Sequence, residues 1–271
     1  MAAISVKRPG ARVRELVDAF EENDLLTFAS ATSFQIVTAL VPALMFAFGL
    51  LGFLSLDGVW RNELGPDIKP NVSHQAFAVI DDAVTKALTQ QQLFWVTIGF
   101  AIALWQLSGA VRAVMGALNR VHRVEPQRSW KQRMLVSFAL AVALGACWLL
   151  AIAAVLLGPL VYDGVPPLVG ALLFVVRWSI AGVLLLLGVA LVLRFAPEPE
   201  QPAKWVTRGT LLIVSGWVVM SIGFGVYLRD IASYGSIFGS LATVVVLGAY
   251  LYLSAIVFLG GVQVDALARS T

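Results

Sequence analysis

The chain has 271 residues, of which 59% are hydrophobic and 13% charged, with a mean hydropathy of +0.85. A soluble domain carries about 25% charged residues, so this composition excludes an ordinary globular fold and requires lipid to cover the apolar surface. The net charge of +3 is small, and the basic residues stand beside apolar runs rather than on one clustered face as nucleic-acid binding demands. The expected anionic neighbour is a membrane surface, and nucleic acid is not expected as a partner. The single cysteine, Cys147, rules out an internal disulfide and a Cys-x-x-Cys metal or redox site.

Residues 1–24 are polar with a helical pattern. Val13, Leu16, Val17 and Phe20 fall on one face, with Arg12, Arg14, Glu15, Asp18 and Glu21 around them. This predicts a cytoplasmic amphipathic helix at the membrane interface, with Asn23 or Asp24 placed to cap the next helix. The first apolar run is too long for the apolar part of a signal peptide and lacks a small-x-small cleavage site, so it is read as a retained span.

A bilayer core of about 30 Å is crossed by about 20 helical residues. Six runs meet that length, at about 25–54, 93–118, 134–161, 168–195, 209–228 and 237–264. Within hydrocarbon each backbone N–H and C=O must be paired inside the segment, so such runs are helices. Pro42 predicts a kink in the first. The outer loop 55–92 holds a second amphipathic pattern, with Phe77, Ile80, Val84 and Leu88 opposite Asp81, Asp82, Thr85 and Lys86. The link Tyr162–Pro167 is short enough to make spans three and four a tight antiparallel hairpin. The connector Ala196–Arg208 is rich in proline. The last span carries no charge from Ile237 to Val264, opens on Tyr234-Gly235-Ser236 and closes on Gly260-Gly261-Val262-Gln263-Val264-Asp265.

The expected fold is all-α and polytopic. It has one six-helix transmembrane domain over 25–265, an amphipathic helix before it, another in the outer loop, and a tail at 266–271. An even number of spans puts both termini on one side. Fourteen Lys and Arg residues fall on that side, against Arg61, Lys69, Lys86 and Arg229 on the other, with Arg177 inside span four. The positive-inside rule then makes both termini cytoplasmic.

Several stretches together resemble the YihY/BrkB family of bacterial inner-membrane proteins. They are Leu25–Gln35 followed by Pro42, Leu118-Asn119-Arg120-Val121-His122-Arg123-Val124, Arg194-Phe195-Ala196-Pro197, Tyr234-Gly235-Ser236, and Leu259-Gly260-Gly261-Val262-Gln263-Val264-Asp265. The order and spacing of these elements carry the likeness, which covers about residues 13–268. The chain departs from the family where Phe34 and Gln35 replace tyrosines, and where Gln263 and Asp265 replace a glutamate and an asparagine. The resemblance implies an integral inner-membrane protein linked to envelope integrity, and in one branch to serum resistance. Some members have carried a ribonuclease label.

A metal-dependent nuclease needs carboxylates or histidines that converge on the ions. The acids here are scattered, and His122 stands among arginines, so no catalytic residue, metal or cofactor is expected and the chain is read as a non-enzyme. Arg177 lies about a third of the way into span four. It serves either as an anion or headgroup contact or as an arginine that snorkels to the outer interface beside Trp178. Arg112, Gly116, Asn119 and Arg123 fall on one helical stripe with Arg120 beside them. That stripe is either a basic vestibule for lipid phosphates or a topology signal. Gln35, Gln106, Ser108, Gln263 and Asp265 are polar positions in or at the ends of spans. They make either interhelical bonds or a polar pathway. Gly235, Gly239 and Thr243, with Gly260, suit close helix packing.

Two functions follow. One is a transporter or translocator of a lipid or anionic envelope precursor, which a cavity lined by Arg177, Gln35 and Gln263 would mark. The other is a non-catalytic scaffold that docks envelope-assembly partners through the 55–92 loop and the tails. Membrane lipids are partners in both.

Overall fold

The computed structural model describes residues 9–53, 58, 60–69, 77–78, 81–82, 84–85, 93–156, 166–198, 208–227 and 239–270. Its long helices are α1 (Pro9–Glu22), α2 (Leu25–Phe53), α3 (Leu93–Val121), α4 (Trp130–Leu156), α5 (Pro167–Phe195), α6 (Arg208–Val226) and α7 (Gly239–Ser270). Six of them, α2 to α7, are long and apolar enough to cross a membrane. No strand occurs among the described residues. The fold is therefore all-α with six candidate spans, as the apolar runs predict.

Local chemistry explains where helices begin and end. α3 ends in a Schellman motif. The Val124 N–H donates to the Asn119 carbonyl at 2.9 Å, and the Arg123 N–H to the Arg120 carbonyl at 2.9 Å. Arg123 takes the left-handed conformation, φ 54°, a place usually held by glycine. α4 starts at Trp130, ahead of the expected 134, because Ser129 and Gln132 form a capping box. The Ser129 N–H donates to Gln132 Oε1 at 3.0 Å, and the Gln132 N–H donates to Ser129 Oγ at 3.4 Å. α5 opens on Pro167, whose missing N–H costs nothing at that position. α7 runs on to Ser270, past the expected end at 264. Gly260 and Gly261 do not stop it, because neighbouring helices pack onto both.

The spans form a row in the order α5, α4, α3, α2, α7, α6. The most extensive packing joins α2 to α3. Contacts from α2 fall at Phe28, Gln35, Pro42 and Gly49, one heptad apart. A period of seven residues keeps one face of a helix on its neighbour. Opposite them, a Cβ at Gly116 would lie 2.6 Å from Phe28 Cε1, and one at Gly99 would lie 3.0 Å from the Pro42 carbonyl oxygen. The glycines of α3 thus receive the bulk of α2, and the backbones approach closely. α2 remains one continuous helix through Pro42.

The core gathers at one end. Leu25 and Ala29 at the start of α2 meet Met115 and Leu118 near the end of α3. Leu140, Val192, Ile213, Leu259 and Val262 belong to the same cluster. Every one of these positions lies toward the face that carries the termini. Toward the opposite face α2 and α3 stay in contact, Gly49 against Val96, and so do α6 and α7, Phe224 against Tyr250 at 5.0 Å. Phe53, Phe100, Leu150, Leu172, Ile222 and Val245 are all exposed there. Only 17% of the apolar windows of α5, α6 and α7 is buried. α5 and α6, at the two ends of the row, make no more than isolated contacts with each other.

Between α2 and α3 a π-helical turn, Trp60–Leu64, runs into a helical turn, Gly65–Ile68. Trp60 is buried, and its indole N–H donates to Asp81 Oδ1 at 2.8 Å. Of the amphipathic helix expected around Phe77–Leu88, residues 77–78, 81–82 and 84–85 are helical, and the others lie outside the described residues.

Candidate functional site

Polar side chains concentrate at the termini face, where the helix ends meet. α1 docks there through Phe20, which lies in van der Waals range of Gly260, at 3.6 Å from a Cβ placed on it. Asn23, just after α1, donates from Nδ2 to the Ala19 carbonyl at 3.0 Å and to Gln263 Oε1 at 3.1 Å. Both Asn23 and Gln263 are buried, so each satisfies a polar group that water does not reach. Asp24, the other expected cap, accepts the Phe28 N–H at its carbonyl and the Thr27 hydroxyl at Oδ1.

Asp265 lies two residues further along α7. Its Oδ1 accepts the Gly209 N–H at 2.8 Å, at the second residue of α6. A carboxylate at a helix N-terminus meets unpaired N–H groups and the positive end of the dipole. The approach requires glycine, because a Cβ at Gly209 would meet the Gly261 carbonyl oxygen and lie 2.7 Å from Asp265 Oδ2.

Glu198 is 4% exposed and organises the connectors. Its Oε2 accepts the Gln127 N–H at 2.7 Å and the Arg128 N–H at 2.6 Å. Its own N–H donates to Asn119 Oδ1 at 2.9 Å. The Arg128 guanidinium donates to the Phe195 carbonyl at 3.0 Å. The α3–α4 connector is thereby fastened to the end of α5.

The stripe of Arg112, Gly116, Asn119 and Arg123 does not form one vestibule. α3 is flanked by both α2 and α4, so successive residues of the stripe meet different neighbours. Arg112 reaches Ser108, Met134 and Ser137, Gly116 receives Phe28, and Asn119 holds Glu198. Arg123 lies beyond the helix end and pairs with Glu22 at 3.4 Å, while Arg120 pairs with Asp24 at 3.7 Å. Both ion pairs are exposed and contribute little to stability.

Gln35 lies in the α2–α3 seam, with Oε1 2.7 Å from where a Cβ of Gly109 would stand. Arg177 lies elsewhere again. Its Nη1 donates to the Val155 carbonyl at 3.4 Å, one residue before the end of α4, and its guanidinium stacks over Phe174 at 5.3 Å. Gln35, Gln263 and Arg177 thus occupy three separate seams. Gln106 is partly buried and Ser108 fully buried. Gly239 begins α7, and Gly235 lies outside the described residues. Among the described residues no three His, Cys, Asp or Glu side chains converge as metal ligands would.

A family model described as virulence factor BrkB matches residues 16–271. The chain belongs to the BrkB family. The BrkB-family protein is 24% identical to the ribonuclease-like protein YfkH of Bacillus subtilis over 261 residues, 94% of each chain. It is 25% identical to a UPF0761 membrane protein of Pseudoalteromonas translucida, over 90% of this chain and 81% of the relative. A UPF0761 membrane protein of Methylibium petroleiphilum is 25% identical over 95% of this chain, which spans 62% of that longer relative. No solved structure matches. With relatives named membrane proteins and six apolar helices of spanning length, this BrkB-family chain is a multi-pass protein of the bacterial inner membrane.

Reading the sequence misses Asn23 as the partner of Gln263, Glu198 as the hub of the connectors, Gly209 as the partner of Asp265, and Arg133. One local signal was available. Ser129-x-x-Gln132 is a capping-box spacing, and it brings Arg133 inside α4.

Proposed function

We propose that this BrkB-family protein is a non-enzymatic translocator of a lipid or anionic envelope precursor, and that it supports envelope integrity in this way. The observation that carries the reading is the one-sided packing. The buried core lies at the termini face, and α5, α6 and α7 keep broad apolar walls exposed along their length. In a bilayer such walls take up acyl chains, which lie along them beside the packed base. In this reading the termini face the cytoplasm. Arg120, Arg123, Arg128, Lys131, Arg133 and Arg194 stand at the termini face, against Arg61 and Lys69 in the described part of the outer segment.

A second reading, a scaffold for envelope-assembly partners, is favoured by the outer segment. It packs around Trp60 and borders an open pocket of about 500 Å³ lined by Arg61, Lys69, Phe77 and Asp81 among others.

Lipid analysis of a strain deleted for the gene separates the two. Translocation predicts accumulation of one anionic lipid or precursor, reversed by the wild-type gene; an unchanged lipid profile contradicts it. The same strain complemented with Glu125→Cys tests the orientation, since a membrane-impermeant maleimide should reach that thiol only after permeabilisation.

A further inference from the structure

We propose that the groove between α3 and α4 binds the phosphate of an anionic phospholipid drawn from the leaflet at the termini face. Arg112 donates from Nη1 to Ser108 Oγ at 2.9 Å, to Met134 Sδ at 3.1 Å and to Ser137 Oγ at 3.2 Å. Both hydroxyls already donate to their own helices, Ser108 to the Trp105 carbonyl at 2.7 Å and Ser137 to the Met134 carbonyl at 2.8 Å. They therefore accept from Arg112. These neutral acceptors orient the guanidinium and do not neutralise it.

Arg133 brings a second guanidinium into the same groove. Its Nη2 donates to the Arg112 carbonyl at 3.3 Å. The ion pairs among the described residues engage Arg120 and Arg123, and among those residues no carboxylate pairs with Arg112 or Arg133. All the described bonds of Arg112 leave from Nη1, and its Nε and Nη2 are not among the buried, unpartnered atoms. That edge is open to an incoming anion. Two guanidinium groups in one groove supply several N–H donors, and a phosphate accepts such donors strongly.

Depth and surroundings select a lipid as the source. Ser137, to which Arg112 bonds, stands two turns inside α4, about 10 Å from Trp130 at 1.5 Å per residue. A charge at that depth persists when water or a counter-charge reaches it. Trp130 and Trp105 on the same side are 71% and 55% exposed, and the Arg112 guanidinium lies 5.8 Å from the Trp105 ring centre. Trp130, at the start of α4, stands where exposed tryptophans sit at headgroup level, whereas Trp105 lies seven residues deeper along α3 than Arg112. A phosphate held here is pulled below the plane of its neighbours, while its acyl chains lie along the exposed Leu135 and Val142 of α4. The site does not depend on translocation, because a chain that holds a lipid here without moving it satisfies the inference.

The full chain in nanodiscs of phosphatidylcholine, with and without phosphatidylglycerol, tests the site by native mass spectrometry of retained lipid. The wild type should retain phosphatidylglycerol in preference to phosphatidylcholine. Arg112→Gln and Arg133→Gln should each lower that retention about 5-fold, the effect of one surface charge, and the double variant should abolish the preference. Arg194→Gln, at the same face but outside the groove, should leave it unchanged. If Arg112→Gln does not fold, Arg133→Gln carries the test alone, since it leaves the bonds of Arg112 to the serines in place. Undiminished preference in whichever of these variants folds overturns the proposal. Inorganic phosphate in excess is the soluble-anion arm: retained lipid supports a lipid site, and displaced lipid assigns the groove to a free anion and overturns it.

Discussion

Glu198 shows how much one buried carboxylate can hold. Two backbone N–H groups of the α3–α4 connector end on its Oε2, at 2.7 and 2.6 Å. Hydrogen bonds to a charged acceptor contribute about 1.5–3 kcal/mol each, so Glu198→Ala leaves two donors without their acceptor. Amide exchange at Gln127 and Arg128 should rise at least tenfold, by about 1.4 kcal/mol or more of lost protection, while exchange in α2 stays as it is. Unchanged protection at both amides would show that the carboxylate does not hold the connector. The residue was not legible beforehand. Glu198 lies in a proline-rich connector without periodicity, and its partners are backbone groups about seventy positions away. Asp265 and Gln263 were legible as polar positions at the end of a span. Their partners, Gly209 and Asn23, were not, since a backbone N–H and a residue read as a helix cap carry no sign of a distant contact. Arg123 is a further residue-scale lesson. Its left-handed φ of 54° follows from the Schellman geometry, which the usual glycine would have announced and an arginine does not.

At the level of elements, the apolar runs located all six spans, because the length and composition that hydrocarbon requires are properties of sequence alone. Their ends depended on local chemistry. α4 begins early because of Ser129 and Gln132, and α7 continues because Gly260 and Gly261 are contact points rather than terminators. The α6–α7 crossing depends on such contacts. A Cβ at Gly261 would meet the Ile213 side chain and the Gly209 carbonyl oxygen at 2.8 Å, and one at Gly209 would meet the Gly261 carbonyl. Backbone cannot move aside as the end of a flexible side chain can. Gly209→Ala should therefore destabilise the protein by about 1–3 kcal/mol, the usual cost of overpacking. It should lower the midpoint of thermal unfolding in detergent. Gly223→Ala is the control, since a Cβ there meets nothing within 4 Å. Equal midpoints for the two variants would mean that the crossing is not close.

For the whole molecule, sequence sets the number of helices and leaves their neighbours open, because an apolar surface suits lipid and protein equally well. The heptad of Phe28, Gln35 and Pro42 against Gly116, Gly109 and Gly99 of α3, continued by Gly49 against Val96, decides the central pair. The row then extends outward through α4 and α5 on one side and α7 and α6 on the other. This order separates Arg177, Gln35 and Gln263, so a pathway lined by all three does not form, and the basic stripe of α3 is divided between two seams. What the order creates is a packed core at the termini face and exposed apolar walls on α5, α6 and α7. The proposal that those walls pass a lipid is tested most directly by reconstituting the chain in sealed vesicles with a head-labelled fluorescent phosphatidylglycerol and adding an impermeant quencher. The account predicts that label from both leaflets is quenched in vesicles that contain the protein. Quenching confined to the outer leaflet, as in protein-free vesicles, would contradict it.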